Sequence, residues 1–265
     1  LAALTAAAIK PGDRVLEPSA GTGLLAILAQ LAGGSLTLNE LADARAGLLA
    51  MLFPTTPITR FDAAQIDDHL DAAVAPSVIL MNPPFSAMAH VAGRVQDAGF
   101  RHISSALRRL VPGGRLVAIT GANVGPDNPQ WRETFGSLQA CSRVVFSCAI
   151  AGAIYARHGT TFPTRLTVID KSPAIDPSMF PPSPGNAPDV ATLLSWIEAQ
   201  VPPRLPVTLP ETSAQITAIP KSVRGYLART TSKSPSGSVA AYPESRELAY
   251  ETVDWSPPED TRMSD

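Results

Sequence analysis

The stretch LEPSAGTG, residues 16–23, decides how the rest of the sequence is interpreted. It lies between an apolar run that predicts a strand and an Ala- and Leu-rich segment that predicts a helix. A loop from the first strand to the first helix of an α/β fold is a nucleotide-binding position. Gly21 and Gly23 let the backbone turn and approach a ligand closely, and the following helix N-terminus presents free N–H groups. Since the loop matches neither the P-loop pattern nor GxGxxG, it favours a nucleoside ligand without phosphates.

Around this loop, from residue 14 to residue 171, short apolar or β-branched runs alternate with longer helical patterns. The alternation predicts an α/β fold with a doubly wound, mostly parallel, seven-stranded Rossmann-like sheet. The predicted strands are 14–16, 36–39, 58–61, 78–81, 115–120, 144–150 and 165–170. The predicted helices are 23–31, 41–53, 100–110 and 129–140. No helix separates the last two strands, so we expect an antiparallel hairpin at the sheet edge, with His158 in its turn.

The composition changes after residue 171, and this divides the chain into two predicted regions. Residues 172–265 hold 15 of the 26 prolines, together with clusters of serine. Such a segment does not sustain a sheet or long helices. We therefore predict a domain at 1–171 and a Pro/Ser-rich linker or wrapping segment at 172–265. The exception is a short helix near 190–201, where Leu193, Leu194 and Ile197 share one face.

The composition predicts a full hydrophobic core, since 45% of the 265 residues are hydrophobic. We expect a cytoplasmic protein. No apolar run approaches the roughly 20 residues that span a bilayer, and no leader pattern is visible. The chain opens directly on a helical pattern without an initiator Met, so we expect it to begin inside a longer protein. Cys141 and Cys148 match neither a zinc knuckle nor a redox pair; we expect both in the core and predict no metal site.

Charge is unevenly distributed although the formal net charge is only −2. Residues 91–171 hold 10 basic and 4 acidic side chains, between two segments in which acidic residues predominate. This segment is either a surface that meets nucleic-acid phosphates or a solvated arginine-rich face, and charge alone does not separate the two. Its arginines of interest are Arg94, Arg101, Arg108, Arg109, Arg132, Arg143, Arg157 and Arg165.

Three carboxyl groups fall at the ends of the first three predicted strands. Glu17 ends the first strand, Glu40 follows the second and Asp62 follows the third. A carboxylate after the second strand can accept both hydroxyls of a ribose that lies across the switch point of the sheet. Asp62 is placed to accept from an adenine amino group, and Glu17 to face an ammonium group. Any one of them alone would be read as a solvated loop carboxylate; their order behind the glycine loop favours a binding role.

The tetrapeptide NPPF, residues 82–85, ends the buried-strand run 78–81. Its two prolines stop the strand ladder and free the carbonyl of Pro83 from any neighbouring strand. Asn82 adds a side-chain carbonyl beside it, so the two oxygens can hold both hydrogens of one NH₂ group. The alternative is a simple strand end and proline turn, with Phe85 in the core.

The glycine loop and NPPF together resemble the cofactor and catalytic motifs of class I amino-methyltransferases of the N6-adenine type, in the same order and over residues 10–171. The resemblance implies S-adenosylmethionine as cofactor and an exocyclic amino nitrogen, most of all adenine N6 in DNA, as methyl acceptor. Acceptors out of the ring plane would favour a pyramidal nitrogen whose lone pair faces the methyl group, and Phe85 would stack on a flipped-out base. The implied acceptor-site residues are Asn82, Pro83, Pro84 and Phe85. The implied cofactor-site residues are Glu17, Pro18, Ser19, Ala20, Gly21, Thr22, Gly23, Asn39, Glu40, Asp62 and Ala63.

A narrower resemblance is carried by EPSAGTGLLA at 17–26, by HGT at 158–160 and by the tail around 248–255. These stretches resemble the methyltransferase region of large bacterial phage- and plasmid-borne proteins that join it to a Strawberry notch-type helicase. The resemblance implies a fused or adjoining helicase domain. The family's upstream element that closes over the cofactor is missing from the sequence, as is a helicase nucleotide loop.

Several alternatives remain open on the sequence. NPPY and NPPF motifs also serve enzymes that methylate guanine N2 in RNA or a glutamine amide in protein. The chain is alternatively a non-catalytic nucleic-acid-binding module beside a motor domain, although the intact Asn82 argues against this. A nicotinamide-dependent dehydrogenase is disfavoured because GxGxxG and a Tyr-x-x-x-Lys arrangement are absent.

Overall fold

The computed structural model describes residues 1–83 and 98–207, which form an α/β unit. Its helices are Ala2–Ala7 (α1), Leu24–Leu31 (α2), Asp43–Leu52 (α3), Ile66–His69 (α4), Ala98–Arg109 (α5), Pro129–Leu138 (α6) and Val190–Gln200 (α7). Its strands are Arg14–Glu17 (β1), Ser35–Asn39 (β2), Ile58–Thr59 (β3), Val78–Met81 (β4), Arg115–Gly121 (β5), Arg143–Ile150 (β6), Thr164–Asp170 (β7) and Asn186–Ala187 (β8). Two 3₁₀ segments, Ala63–Gln65 and Gly152–His158, lie between these elements.

The strands form one mixed sheet in the order β3-β2-β1-β4-β5-β7-β6-β8. All neighbouring pairs are parallel except those of β7, which runs antiparallel to both β5 and β6. The chain order reverses between β1 and β4, which makes this junction the switch point where α/β sheets bind ligands. The predicted α/β class and mostly parallel sheet are confirmed.

Two details of the predicted sheet are wrong. The described sheet has eight strands and not seven, because the proline-rich segment supplies β8, which pairs in parallel with β6. The predicted hairpin does form, but it does not lie at the edge: β7 inserts between β5 and β6, and β8 covers the outer side of β6. The expectation that the segment after residue 171 does not sustain a sheet did not foresee that two of its residues pair with β6 through the backbone.

Both faces of the sheet are covered, which explains why the central strands read as unbroken apolar runs. Successive residues point to opposite faces: Val15 joins the core beneath α1 and α7, whereas Leu16 joins the core beneath α5 and α6. All four residues of β4 are buried. Burial of this central strand fixes the position at which Asn82 leaves the sheet.

Residues 172–207 wrap around the sheet unit. The short helix predicted near 190–201 is α7, which buries Leu193 and Ile197. Further along, the Pro202 carbonyl accepts from Arg115 at 2.9 Å. The Arg204 guanidinium pairs with the Asp13 carboxylate. The boundary proposed at residue 171 stays a prediction, and the segment that follows it packs on the sheet as far as residue 207.

The cysteine prediction is half wrong. Cys148 lies fully buried in β6, and burial raises the pKa of its thiol to about 12. Cys141 is exposed, since it lies in the turn after α6 and not on its core-facing side. Among the described residues, no helix is both long and apolar enough to cross a membrane.

Candidate ligand site at the carboxyl edge of the sheet

The glycine loop leaves β1 and enters α2 with the backbone geometry that its sequence predicts. Gly21 has φ 56° and Gly23 has φ 84°, both in the left-handed region where a side chain is strained. A Cβ on Gly23 would come within 2.8 Å of Leu49 and 3.0 Å of Phe53, so this glycine lets α2 approach α3. A Cβ on Gly21 would meet nothing within 4 Å, so this glycine borders open space. Gly21 is therefore the position where the backbone is accessible to a ligand.

Asn39, at the end of β2, holds the glycine loop in place through its side-chain amide. Its side-chain amide donates to the Pro18 carbonyl at 2.8 Å and the Phe61 carbonyl at 2.9 Å. Its side-chain oxygen accepts from the Phe61 N–H at 2.8 Å and the Thr59 hydroxyl at 2.9 Å. These four bonds use the whole hydrogen-bonding capacity of the amide. Asn39 therefore joins the ends of β1, β2 and β3, and its predicted place in the cofactor site stays a prediction.

Glu40 holds the loop from the side. One carboxylate oxygen accepts from the Gly21 N–H at 2.9 Å, and the other accepts from the Ala42 N–H at 2.9 Å and from the Arg45 guanidinium at 2.8 Å. Burial raises its pKa, but these hydrogen bonds outweigh that effect and hold the pKa below its usual value. Glu40 is therefore a carboxylate fixed beside Gly21. The sequence analysis missed Arg45, whose only signal was a basic residue in the first turn of the helix after Glu40.

Glu17 is the least compensated acid of the site. Its side chain is 3% exposed, and among the described residues its Oε2 has no hydrogen-bond partner. Burial raises its pKa to about 8; the Ala26 N–H opposes this effect and the Glu40 charge adds to it. A buried carboxyl without a cation is unfavourable, so a positively charged ligand group at this position would be strongly favoured.

The remaining predicted cofactor-site residues lie around the same edge. Ser19 is half-buried, Thr22 is exposed, and Ala20 is buried, with its N–H bonded to the Asn39 carbonyl at 2.9 Å. Asp62 caps the Ala63–Gln65 turn by accepting from the Ala64 N–H at 2.9 Å through one oxygen. The Asp62 side chain is exposed and Ala63 is buried, so the second oxygen of Asp62 faces solvent at the carboxyl end of β3.

The acceptor motif begins at the end of β4, directly beside β1. The two strands are parallel with Leu16 opposite Ile79, so Asn82 and the glycine loop leave the sheet at the same edge. Asn82 is exposed and Pro83 is buried. Pro84 and Phe85 lie outside the described residues. Sheet topology alone thus brings the start of NPPF and the glycine loop to adjacent strand ends.

Four of the eight arginines named in the central segment contact the protein itself. Arg165 is 6% exposed and pairs with Asp127 at 2.9 Å. Arg108 pairs with Asp67 at 2.8 Å, and Arg109 donates to the Val74 carbonyl at 2.9 Å. Arg132 donates to the Ser178 carbonyl at 3.2 Å and lies over the Phe180 ring. For these four side chains the structural interpretation is favoured over phosphate binding.

The strand order and the glycine loop define a Rossmann-like α/β fold, and solved structures share it. A Listeria monocytogenes protein assigned to the class I S-adenosylmethionine-dependent methyltransferases matches with TM-score 0.54 at 13% identity, over 76% of this chain and 68% of that chain. The type I restriction-modification methyltransferase subunit of Streptococcus thermophilus matches with TM-score 0.54 at 17% identity, over 75% of this chain and 52% of that one. A protein assigned as the modification subunit of a type I restriction enzyme from Vibrio vulnificus matches with TM-score 0.52 at 17% identity, over 65% and 44%.

These likenesses establish the fold. The chain spans about half the length of the restriction-modification subunits it matches. The sequence matches no protein-family model and none of the curated proteins with which it was compared.

Proposed function

We propose that this chain is an S-adenosylmethionine-dependent methyltransferase that methylates an exocyclic amino nitrogen, with adenine N6 in DNA as the favoured acceptor. The observation that carries the proposal is the junction of β1 and β4. There a glycine loop lies beside an Asn-Pro strand end, and the buried carboxyl of Glu17 has no cation among its described contacts. Each of the two features fits one substrate of the reaction.

The residues present fit the cofactor. Glu17 would hold its ammonium group, because that group supplies the charge the buried carboxyl lacks. Gly21 would allow close backbone approach, Glu40 would accept from the ribose hydroxyls, and Asp62 would accept from the adenine amino group. When bound, the cofactor would supply an electrophilic methyl group on its sulfonium sulfur; the electrons of the carbon–sulfur bond would stay on the sulfur, and the acceptor nitrogen would release one proton to solvent on gaining the methyl.

The chain's own contribution to catalysis would be positioning and electrostatics. The side-chain oxygen of Asn82 and the carbonyl of Pro83 would each accept one N–H of the acceptor NH₂ group. In that arrangement the nitrogen leaves conjugation with its ring, and its lone pair turns toward the methyl group. Pro83 and Pro84 would stiffen this corner, and Phe85 would stack on the acceptor ring.

Nucleic acid as acceptor is supported by the likeness to restriction-modification methyltransferase subunits, at the level of fold. Arg108, Arg109, Arg132 and Arg165 all make intramolecular contacts, so a phosphate contact from any of them would compete with these contacts. DNA over RNA, and a fused or adjoining Strawberry notch-type helicase, are the finer parts of this proposal and rest on the sequence resemblance.

Two measurements test the proposal in order. Calorimetric titration of the 265-residue chain with S-adenosylhomocysteine should show one-site binding. Incubation with tritiated S-adenosylmethionine should then label DNA. Label only in RNA or only in a release-factor protein would replace the acceptor but keep the reaction class. Nucleic-acid binding without cofactor binding would instead support the non-catalytic module.

Asn82→Ala separates catalysis from binding. We expect the variant to lose methyl transfer about a hundredfold or more, the size typical for loss of one preorganised polar group in an active site. Its affinity for S-adenosylhomocysteine and its unfolding midpoint should stay unchanged because Asn82 is exposed after the strand. Asn123→Ala, which changes another asparagine that follows a strand, serves as the control for methyl transfer. Full activity in Asn82→Ala would refute the assigned role.

A further inference from the structure

Three polar side chains on α5 lie one helical turn apart and face the segment 62–74: His102, Ser105 and Arg109. They form a polar ladder with one side chain, or rung, per turn. Helix α5 and the segment both begin at the carboxyl edge of the sheet and run toward its amino edge. Ser105 accepts from the Asp67 N–H at 3.1 Å and also contacts the Asp67 carboxylate. Arg109, one turn later, donates to the carbonyls of Asp71 and Val74. Ser105 and Arg109 are therefore both hydrogen-bonded to the facing segment.

The first rung of this ladder is His102, one turn before Ser105. Its side chain is 8% exposed, and among the described residues its Nδ1 has no hydrogen-bond partner. The stretch it faces is the start of the same segment, where Ala63–Gln65 packs against α5. Asp62 is close enough for its charge to act on the imidazole. The ladder therefore ends, at the proposed ligand edge, in a buried polar atom that has no partner among the described residues.

His102 differs from an ordinary core histidine because its buried Nδ1 has no hydrogen-bond partner among the described residues. Burial lowers the pKa of His102 and the charge of Asp62 opposes that shift only in part, so the neutral form of the imidazole is favoured. A neutral imidazole carries one N–H donor and one acceptor nitrogen. Burying a polar nitrogen without a partner costs about 1–3 kcal/mol. A protein that pairs both later rungs could have placed an apolar residue here at no such cost.

We propose that His102 is a specificity-determining residue that, together with Asp62, recognises the edge of the cofactor's adenine ring. This inference rests on the proposed function. The Nδ1–H of His102 donates to adenine N1, while the free oxygen of Asp62 accepts from the adjacent amino group. A donor from His102 beside an acceptor from Asp62 matches adenine, which has an acceptor at N1 beside a donor amino group. In the deaminated base, N1 carries a hydrogen and a carbonyl replaces the amino group, so both contacts become unfavourable. The pair thus gives selectivity for an adenosine ligand.

The test measures the affinities of S-adenosylhomocysteine and S-inosylhomocysteine for the whole chain and two variants. His102→Phe keeps the ring shape but removes the donor. His102→Asn places an amide N–H near the position of Nδ1. We expect His102→Phe to bind S-adenosylhomocysteine about tenfold more weakly, a change of about 1.4 kcal/mol, with little loss for the inosyl compound. His102→Asn should retain most of the wild-type selectivity.

His69→Gln is the matched control, because His69 is an exposed histidine on the neighbouring α4. It should bind both compounds as the wild type does. In ¹⁵N-histidine-labelled wild-type protein, the Nδ1 resonance of His102 should shift on titration with S-adenosylhomocysteine, which tests the contact even if a variant does not fold. Wild-type binding with unchanged selectivity in His102→Phe would overturn this inference alone. No wild-type binding of S-adenosylhomocysteine would overturn the proposed function as well.

Discussion

Two carboxyl groups flank the same strand, β1, and have opposite environments. Asp13, just before the strand, accepts from the Ser77 hydroxyl at 2.7 Å, the Lys10 N–H at 2.7 Å and the Arg204 guanidinium at 3.0 Å. Burial raises its pKa, but the bonds from Arg204 and the other donors bring the pKa below its usual value. Glu17, at the end of the strand, has no cation among its described contacts, and its pKa is raised to about 8.

The difference distinguishes the amino edge of the sheet from the carboxyl edge, where we propose that the ligand binds. At the amino edge, residues 202–207 bring Arg204 to Asp13, and the buried Arg115 pairs with Asp170 at 2.7 Å. Buried side-chain atoms without partners among the described residues occur at both edges: Glu17 Oε2 and His102 Nδ1 at the carboxyl edge, and the Nε atoms of Arg14 and Arg204 at the amino edge. The edges differ in that the Arg204 charge is paired with Asp13, whereas Glu17 has no cation among its described contacts. Charged groups at the amino edge should therefore govern stability, and those at the carboxyl edge should govern binding.

The largest stability effect should come from the Arg115–Asp170 pair. Both side chains are 1% exposed, and Arg115 also donates to the carbonyls of Ala6 and Pro202. We expect Asp170→Asn to lower the free energy of unfolding by about 3–5 kcal/mol, because a buried guanidinium loses its counter-charge. Urea denaturation measures this. The double variant Arg115→Met/Asp170→Leu should recover much of the loss, whereas a loss below about 1 kcal/mol in Asp170→Asn would contradict this account of the amino edge.

A second prediction concerns the pH dependence that Glu17 imposes. Its pKa is about 8 in the folded protein against 4.5 ordinarily, so the folded state binds more protons between these values. The stabilising contribution is fully present below pH 4.5 and is lost as pH rises through 8. Relative to Glu17→Gln, the wild type should lose up to about 4 kcal/mol between pH 5 and pH 8, since one proton is worth about 1.4 kcal/mol per pH unit.

Thermal or urea unfolding of both proteins at pH 5, 6.5 and 8 tests this, and parallel profiles would refute it. Saturating S-adenosylhomocysteine should reduce the wild-type loss at pH 8, because its ammonium group would compensate the ionised carboxyl. Glu17→Gln should bind this ligand more weakly at the same pH. The two ends of β1 would then be distinguished by ligand response as well as by stability.

The sheet was largely predictable because its buried strands are continuous apolar runs. The run 78–81 matches β4 in full, and the run 115–120 differs from β5 by one residue. β8 was not predictable, since it is held by backbone bonds such as Ala149 N–H to the Gly185 carbonyl, which no side-chain pattern marks. The placement of β7 between β5 and β6 was missed for a related reason: pairing order is set by packing over the whole sheet.

The residues of the candidate site were predictable from the sequence, but the hydrogen bonds and ion pairs between them were not. The sequence indicates acids after the first three strands, and the structure brings Glu17 and Glu40 to one loop. The sequence does not indicate that the side-chain amide of Asn39 makes its hydrogen bonds within the protein, or that Arg45 forms an ion pair with Glu40. Both contacts depend on distances across the ends of the strands. His102 was overlooked because a lone histidine on a helix with a core face reads as a packing residue.

The smallest effect should come from Asp13, and it sharpens the contrast with Glu17. Asp13→Asn keeps the size of the side chain but leaves the charge of Arg204, whose side chain is 5% exposed, without its counter-ion. We expect a loss of about 2 kcal/mol in the free energy of unfolding and no change in affinity for S-adenosylhomocysteine. The exposed Glu198→Gln is the control and should change stability by less than about 0.5 kcal/mol. A double-mutant cycle with Arg204→Met assigns the loss to the pair. If Asp13→Asn weakened ligand binding as much as Glu17→Gln, the two ends of β1 would not be separate in function, and the assignment of stability to one edge and binding to the other would fail.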